Sequence, residues 1–498
     1  MSSCSFHLSF IEYDFSYHPS FNRTDINETN YYQKSNYEKI SYLSNGSKKF
    51  IESYDDIYSS TTSGNFYKLS STGDSRILVI PVSFSNSKKE DQEYKKTVLQ
   101  NAFFGNENTN MFYSVSEYYY RSSYGQCILK GDVTDFYNCP LSYLEIESAY
   151  GSYTNASRKI VNEALNYVYT TYGSDYLKDF DLDNNGYIDA LYLIYDAPKA
   201  NNTKSLFWAF SDTVNNPNRS IPYLANIYSW VGFDFIINNN NINTHTLIHE
   251  TGHLFGLLDY YNTLSNGTYQ PTGYMDMMDY NVGDHSAFSK MMLNWVTPKV
   301  VTAEGLIELK PFSSTGDLIL VPFETYNDTP FDEYLLLEYY APNEMNQKEL
   351  AFSFEYTNEN NETKKFKFLS YYGIKVYHVN ARVGYFEKKG NKNPICFLDD
   401  INAEEKLSNY SSYCLDLVYD NSVTNESSPT LYHLLQKSGN NTFINSEPMK
   451  NEDLFIKGDS FNVSTFLNYK SSRNEEIGFS FVIEQFSTSR AVIRFNKI

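Results

Sequence analysis

Residues Thr244 to Asp259 read THTLIHETGHLFGLLD, and within them His249, Glu250 and His253 form the pattern H-E-x-x-H. On a helix, residues four apart share a face, so His249 and His253 can offer two imidazoles to one metal ion. Glu250, next to the first of them, is placed to act as general base on water at that metal. Thr244 is a suitable N-cap and Gly256 a suitable terminator. A left-handed Gly256 would fold the chain back and carry Asp259 to the same metal as a third ligand, leaving a fourth position open, as catalytic zinc requires. Asp276 and Asp279 are the rival carboxylates for that role.

Five residues alone make a modest signal, since ordinary helices carry H-E-x-x-H by chance. Here the chain has 8 His in 498 residues, and His245, His249, His253 and His285 fall in one short segment. His245 and His285 are read as structural or as neighbours of the ligands. The stretch Gly273 to Trp295, GYMDMMDYNVGDHSAFSKMMLNW, follows closely. A helix, a glycine and a third ligand followed by a methionine-containing turn is the build of metzincin-type zinc peptidases.

With HETGHLFGLLD, GYMDMM and SAFSKMMLNW in view, the chain resembles the immune inhibitor A-type secreted metallopeptidases. Their signature is H-E-x-x-H-x-x-G-x-x-D, a G-x-W-D-x-M turn and an S-A-F/W-x-K…W segment; Met275 stands here where that turn has Trp. The resemblance implies zinc on His249, His253 and Asp259, Glu250 as the base, and Met278 as the turn methionine forming an apolar floor. It also makes Tyr280 a phenol able to donate to a developing oxyanion. It further implies secretion, and protein or peptide substrates. Segments such as EYLLLEYY and YYGIKVYHVNARV extend the resemblance from about residue 76 to the C-terminus.

Lys+Arg 40 against Asp+Glu 60 leave a net charge of −20, which argues against nucleic acid or an anionic membrane surface as partner. No apolar run is long enough to span a bilayer. Residues 1 to 20 lack a basic region followed by an apolar core, so no signal peptide is read there. Among the five cysteines, Cys4 stands apart. Cys127 with Cys139 and Cys396 with Cys414 are spaced either to close short loops as disulfides or to remain buried thiols.

In chain order, residues 1–74 are Tyr-, Asn- and Ser-rich with little periodicity and read as an N-terminal extension, either a propeptide or a tail. Residues 75–300 read as the peptidase domain, a mixed sheet with the active-site helix. Strands are expected at Ile77 to Phe84 and Ala190 to Asp196, and helices at Glu93 to Phe104 and Ser157 to Tyr172. Asp179, Asp181, Asp183, Asn185 and Asp189 surround Gly186. Oxygen ligands at alternate positions around a turn glycine suit Ca²⁺, although Tyr192 stands where an EF-hand loop has its final Glu. Residues 301–498 turn to strand patterns and read as a β-sandwich-like domain.

The expected fold is therefore α+β, a metzincin-like peptidase domain followed by a β-rich one. The expected function is secreted zinc metalloendopeptidase. The rival reading is a binding or adhesion protein with a structural metal site and an interacting β domain.

Overall fold

The computed structural model describes residues 69–498, apart from 106–111, 201–204, 215–216, 218, 239–240, 265–267, 358–361, 389–390, 392, 426, 463 and 467–468. Upstream it describes the strands Tyr31–Gln33, Ser41–Ser44 and Ser47–Phe50. Most of the extension expected over 1–74, with Cys4, lies outside the described residues. The fold is mixed α+β. It comprises two compact units, Phe66–Leu257 and Leu258–Ile498. That division falls ahead of the residue-300 boundary drawn from the change in sequence pattern. The reason is packing: Asn262 donates to the Val423 carbonyl and Asn421 to that of Tyr260, which ties the residues just after 257 to a loop far downstream.

The first unit is built on one sheet, with strands β1 (Gly73–Ser83), β2 (Cys127–Val133), β3 (Tyr137–Asn138), β4 (Leu191–Asp196), β5 (Phe210–Thr213) and β6 (Ile227–Gly232). The spatial order is β2-β1-β4-β6-β5, with β3 also on β1. Every pairing is parallel except β5 on β6. The run Ile77 to Val82 is buried on both sides, as parallel strands covered on two faces must be.

Alternation sorts the side chains of β4. Leu191, Leu193 and Tyr195 join the core formed with helix α1 (Tyr153–Tyr172), through its Ile160, Ala164 and Val168. Tyr192 points to the other face. There its hydroxyl donates to the carbonyl of Leu247, at 2.8 Å, and meets Thr251 Oγ1 at 2.7 Å, both in helix α2 (His245–Leu254). The motif-bearing helix is thus pinned to the sheet by a tyrosine on the strand face opposite that core. Leu247, Ile248, Thr251 and Leu254 form its buried stripe, spaced as an amphipathic helix requires.

In the second unit, the six-stranded sheet contains Tyr31–Gln33, β7 (Lys299–Val301), β9 (Leu318–Pro322), β10 (Glu333–Tyr340), β11 (Gly373–Asn380) and β12 (Tyr432–Leu435). A four-stranded antiparallel sheet contains β8 (Gly305–Leu309), β15 (Arg490–Lys497), β14 (Phe479–Ser487) and β13 (Ser460–Phe461), in that order. Side chains of both, among them Val321, Leu335, Val376, Ile307, Phe481 and Ile493, fill one core. Among the described residues, no helix is long and apolar enough to cross a membrane.

Cys127, Cys139, Cys396 and Cys414 are buried thiols, and the loop-closing alternative fails on distance. Cys127 sits opposite Gly73 in β1, whereas the Cys139 N–H bonds the Ser83 carbonyl at the other end of that strand. At about 3.3 Å per residue, these ends are roughly 30 Å apart. Cys396 and Cys414 lie on strands flanking Val383–Phe386 on opposite sides, opposite Tyr385 and Phe386. Two strand spacings come to about 9.6 Å, beyond the roughly 7 Å reach of a disulfide.

Candidate metal centre

Thr244 holds the N-cap position of α2, but its hydroxyl donates to the Tyr113 carbonyl at 2.6 Å and caps nothing. The residue before it supplies the oxygen: Asn243 Oδ1 accepts the His245 N–H at 3.1 Å. At the other end Gly256 adopts φ 93°, as its sequence position predicts. The Gly256 N–H bonds the His253 carbonyl and the Leu257 N–H that of Gly252, at 2.8 and 2.9 Å. These two bonds make a Schellman motif, which only a residue at ease with positive φ completes without strain.

This stop brings the next residues back toward the helix. Within the stretch from 249 to 259, His249, His253 and Asp259 each place a ligand atom within 4.8 Å of the others, and all three are half-buried. The two rings meet edge to face, centroids 4.9 Å apart. His253 Nδ1 lies 2.8 Å from the carbonyl oxygen of Leu257, a group that only accepts. The proton therefore sits on Nδ1, and Nε2 carries the lone pair a metal needs. Two neutral imidazoles and one carboxylate are a donor set suited to zinc.

Neither rival carboxylate belongs to this group. Asp276 is buried, accepting the Met278 N–H at 2.8 Å and the Tyr432 hydroxyl. Asp279 accepts the Thr272 hydroxyl. Met278 is fully buried, and its carbonyl accepts the Tyr260 N–H at 2.9 Å, which fastens the methionine turn to the residue after Asp259. Tyr280 is 49% exposed, its ring stacked on Phe354 at 5.2 Å and edge-on to Tyr274. His285 is buried near Trp295, and His245 lies beside Phe112.

Glu250 stands outside the cluster of ligand atoms and is 5% exposed. Its Oε2 accepts a hydrogen bond from Ser211 Oγ at 2.8 Å, and Ser211 Oγ meets Ser229 Oγ at the same distance. Ser211 on β5 and Ser229 on β6 are direct cross-strand partners. Sequence reasoning missed both. Two serines far from the motif carry no signal until the strand register sets them side by side.

In the acidic loop, Asp181, Asp183 and Asp189 place oxygens within 4.8 Å of one another. Asp179, expected as a further ligand, does not join them; it closes the short helix Ser174–Lys178. Asn185 lies against the group, its Nδ2 donating to Asp183 Oδ2 at 2.7 Å and its Oδ1 accepting the Tyr187 N–H at 2.8 Å. Burial, then the charges of Asp183 and Asp181, push Asp189 up to about 7. The chain matches no protein-family model and no curated protein sequence.

Proposed function

We propose that the protein is a zinc metalloendopeptidase of the metzincin-like, immune inhibitor A-type kind, acting on extracellular proteins. The observation that carries this reading is the convergence of His249, His253 and Asp259 with Glu250 beside them but outside the ligand set. A structural zinc site is closed by four protein ligands; three ligands and an adjacent carboxylate fit catalysis.

Zinc held there would supply Lewis acidity, lowering the pKa of water and polarising the scissile carbonyl. The protein's residues do the rest. Glu250 takes the proton of the attacking water and returns it to the leaving amine. Ser211 holds that carboxylate in one orientation. Tyr280 is the candidate donor to the oxyanion. Asp181, Asp183 and Asp189 would hold Ca²⁺, whose charge offsets their mutual repulsion.

The test is Glu250→Gln. The variant should bind zinc at the wild-type stoichiometry and lose casein hydrolysis. Undiminished cleavage would remove Glu250 from the mechanism.

A further inference from the structure

Three loops of the first unit meet at one end of its sheet. β4 and β6 run parallel and β5 runs against them, so the chain after Asp196, the chain after Gly232 and the chain before Phe210 lie at the same end. Each supplies one residue to a small group there. Trp208 and Phe235, both half-buried, set their rings 5.4 Å apart and almost at right angles, 89°. The Lys199 ammonium lies over both rings, 4.2 Å from the Phe235 centroid and 5.0 Å from that of Trp208. The carboxyl ends of parallel strands are where open α/β sheets bind their ligands.

This corner selects a cation. Aromatic faces carry negative potential, and two of them at right angles attract a positive charge from two sides. A carboxylate stands beside them: Asp234, exposed, precedes Phe235, and its Oδ2 accepts the Lys199 N–H at 3.3 Å. Lys199 is the resident cation, and it is a replaceable one. Its side chain is exposed, a cation–π contact at the protein surface is weak, and an ammonium that leaves it regains its full hydration. The protein's own lysine thus shows the chemistry of what the rings can hold.

A guanidinium fits the corner better than an ammonium does. It is planar, so it stacks on one ring while its edge donates two hydrogen bonds to a carboxylate such as Asp234, and it gives up less hydration. The corner is also close to the proposed chemistry. Trp208 is three residues from Ser211, whose hydroxyl donates to Glu250, and three residues span at most about 11 Å. A net charge of −20 draws cationic peptides toward the chain. We infer that Trp208, Phe235 and Asp234 form a subsite for an arginine side chain of the peptide substrate, and that Lys199 is the group it displaces. That the arginine belongs to a substrate rests on the peptidase reading; that the rings hold it does not.

The experiment is a fluorescence titration of the full chain. It has three tryptophans, and Trp230 and Trp295 are fully buried, so a change on adding ligand reports Trp208. The probes are a Gly/Ser hexapeptide carrying one arginine and the same peptide with citrulline, which keeps the shape and loses the charge. The arginine peptide should bind about fivefold more tightly, the worth of one exposed cation–π contact. Lys199→Gln removes the resident cation and should widen that preference, which a structural role for Lys199 would not do. Phe235→Leu should abolish it, and the exposed Lys199 keeps the test valid if Phe235→Leu unfolds. Equal binding of the two peptides, weaker binding of the arginine peptide to Lys199→Gln, or a preference intact in Phe235→Leu would overturn the assignment. Internally quenched versions of the peptides should differ about fivefold in kcat/KM. Cleavage at equal rates would overturn the subsite and leave the peptidase; arginine preference in a chain that does not hydrolyse casein would keep the arginine site and remove the peptidase.

Discussion

His253 Nδ1 and the carbonyl oxygen of Leu257 lie 2.8 Å apart, so the turn that ends helix α2 also orients one imidazole of the candidate metal centre. The turn depends on Gly256 at φ 93°. A Cβ there is strained by about 1–2 kcal/mol, and the strain is relieved by moving the Leu257 carbonyl and the chain leading to Asp259. Gly256→Ala should therefore lower zinc affinity about 10- to 100-fold, as loss of a group orienting a ligand does, with a smaller effect on folding. Competition titration against a zinc chelator measures this. Equal affinities for the two proteins would mean that the turn does not set the site.

In the proposed mechanism Ser211 serves Glu250 rather than the metal. Its hydroxyl is the donor to Glu250 Oε2, and it is itself aligned by Ser229 across the strand pair. In Ser211→Ala the carboxylate keeps its charge and loses its orientation. The expected result is a fall of about tenfold in kcat, with zinc content and KM unchanged. A variant that loses zinc would place Ser211 in support of the metal instead.

What could be read in the sequence and what could not divide along a physical line. The helix, its glycine stop and the return of Asp259 are local: eleven residues specify them through periodicity and one positive φ. The long apolar strands are equally local, and Gly73–Ser83, Leu191–Asp196 and Glu333–Tyr340 lie where runs of branched and aromatic residues put them. The support for the site is not local. Tyr192 reaches α2 because it occupies the face of β4 opposite Leu191, Leu193 and Tyr195, and Ser211 meets Ser229 through register. The Thr244 cap failed for a related reason. Its hydroxyl found a partner, the Tyr113 carbonyl, that motif spacing does not reveal.

Calcium should stabilise the protein through the acidic loop. Asp181, Asp183 and Asp189 are close enough to repel one another when charged. At about ten times its Kd, the ion should add roughly 1.4 kcal/mol and raise the melting temperature by a few degrees. Asp183→Asn, at an exposed position, should abolish the response without unfolding the loop. Thermal unfolding with Ca²⁺ or with Mg²⁺ separates a sized site from general screening. Identical shifts with both ions, or a full response in the variant, would count against a calcium site.

Glu349 supplies a prediction with a definite sign. It is fully buried in the second unit, and burial pushes it up to about 7 against an ordinary 4.5. The hydrogen bonding agrees. The Tyr340 hydroxyl lies 2.8 Å from both the Leu369 carbonyl and Glu349 Oε2, and its single proton serves the carbonyl, which cannot donate. The Glu349 contact is satisfied when that carboxyl is protonated and donates to Tyr340. Asn281 Nδ2 donates to the other oxygen at 2.7 Å. Because the folded pKa is raised, the stabilising contribution is complete below 4.5 and is lost as pH rises through 7. Glu349→Gln keeps the shape, donates to Tyr340 and accepts from Asn281 without titrating. It should match wild type at pH 4.5 and exceed it by about 2–3 kcal/mol at pH 8. Urea unfolding at the two pH values measures the difference. A variant no more stable than wild type at pH 8 would show that Glu349 is held there as the anion.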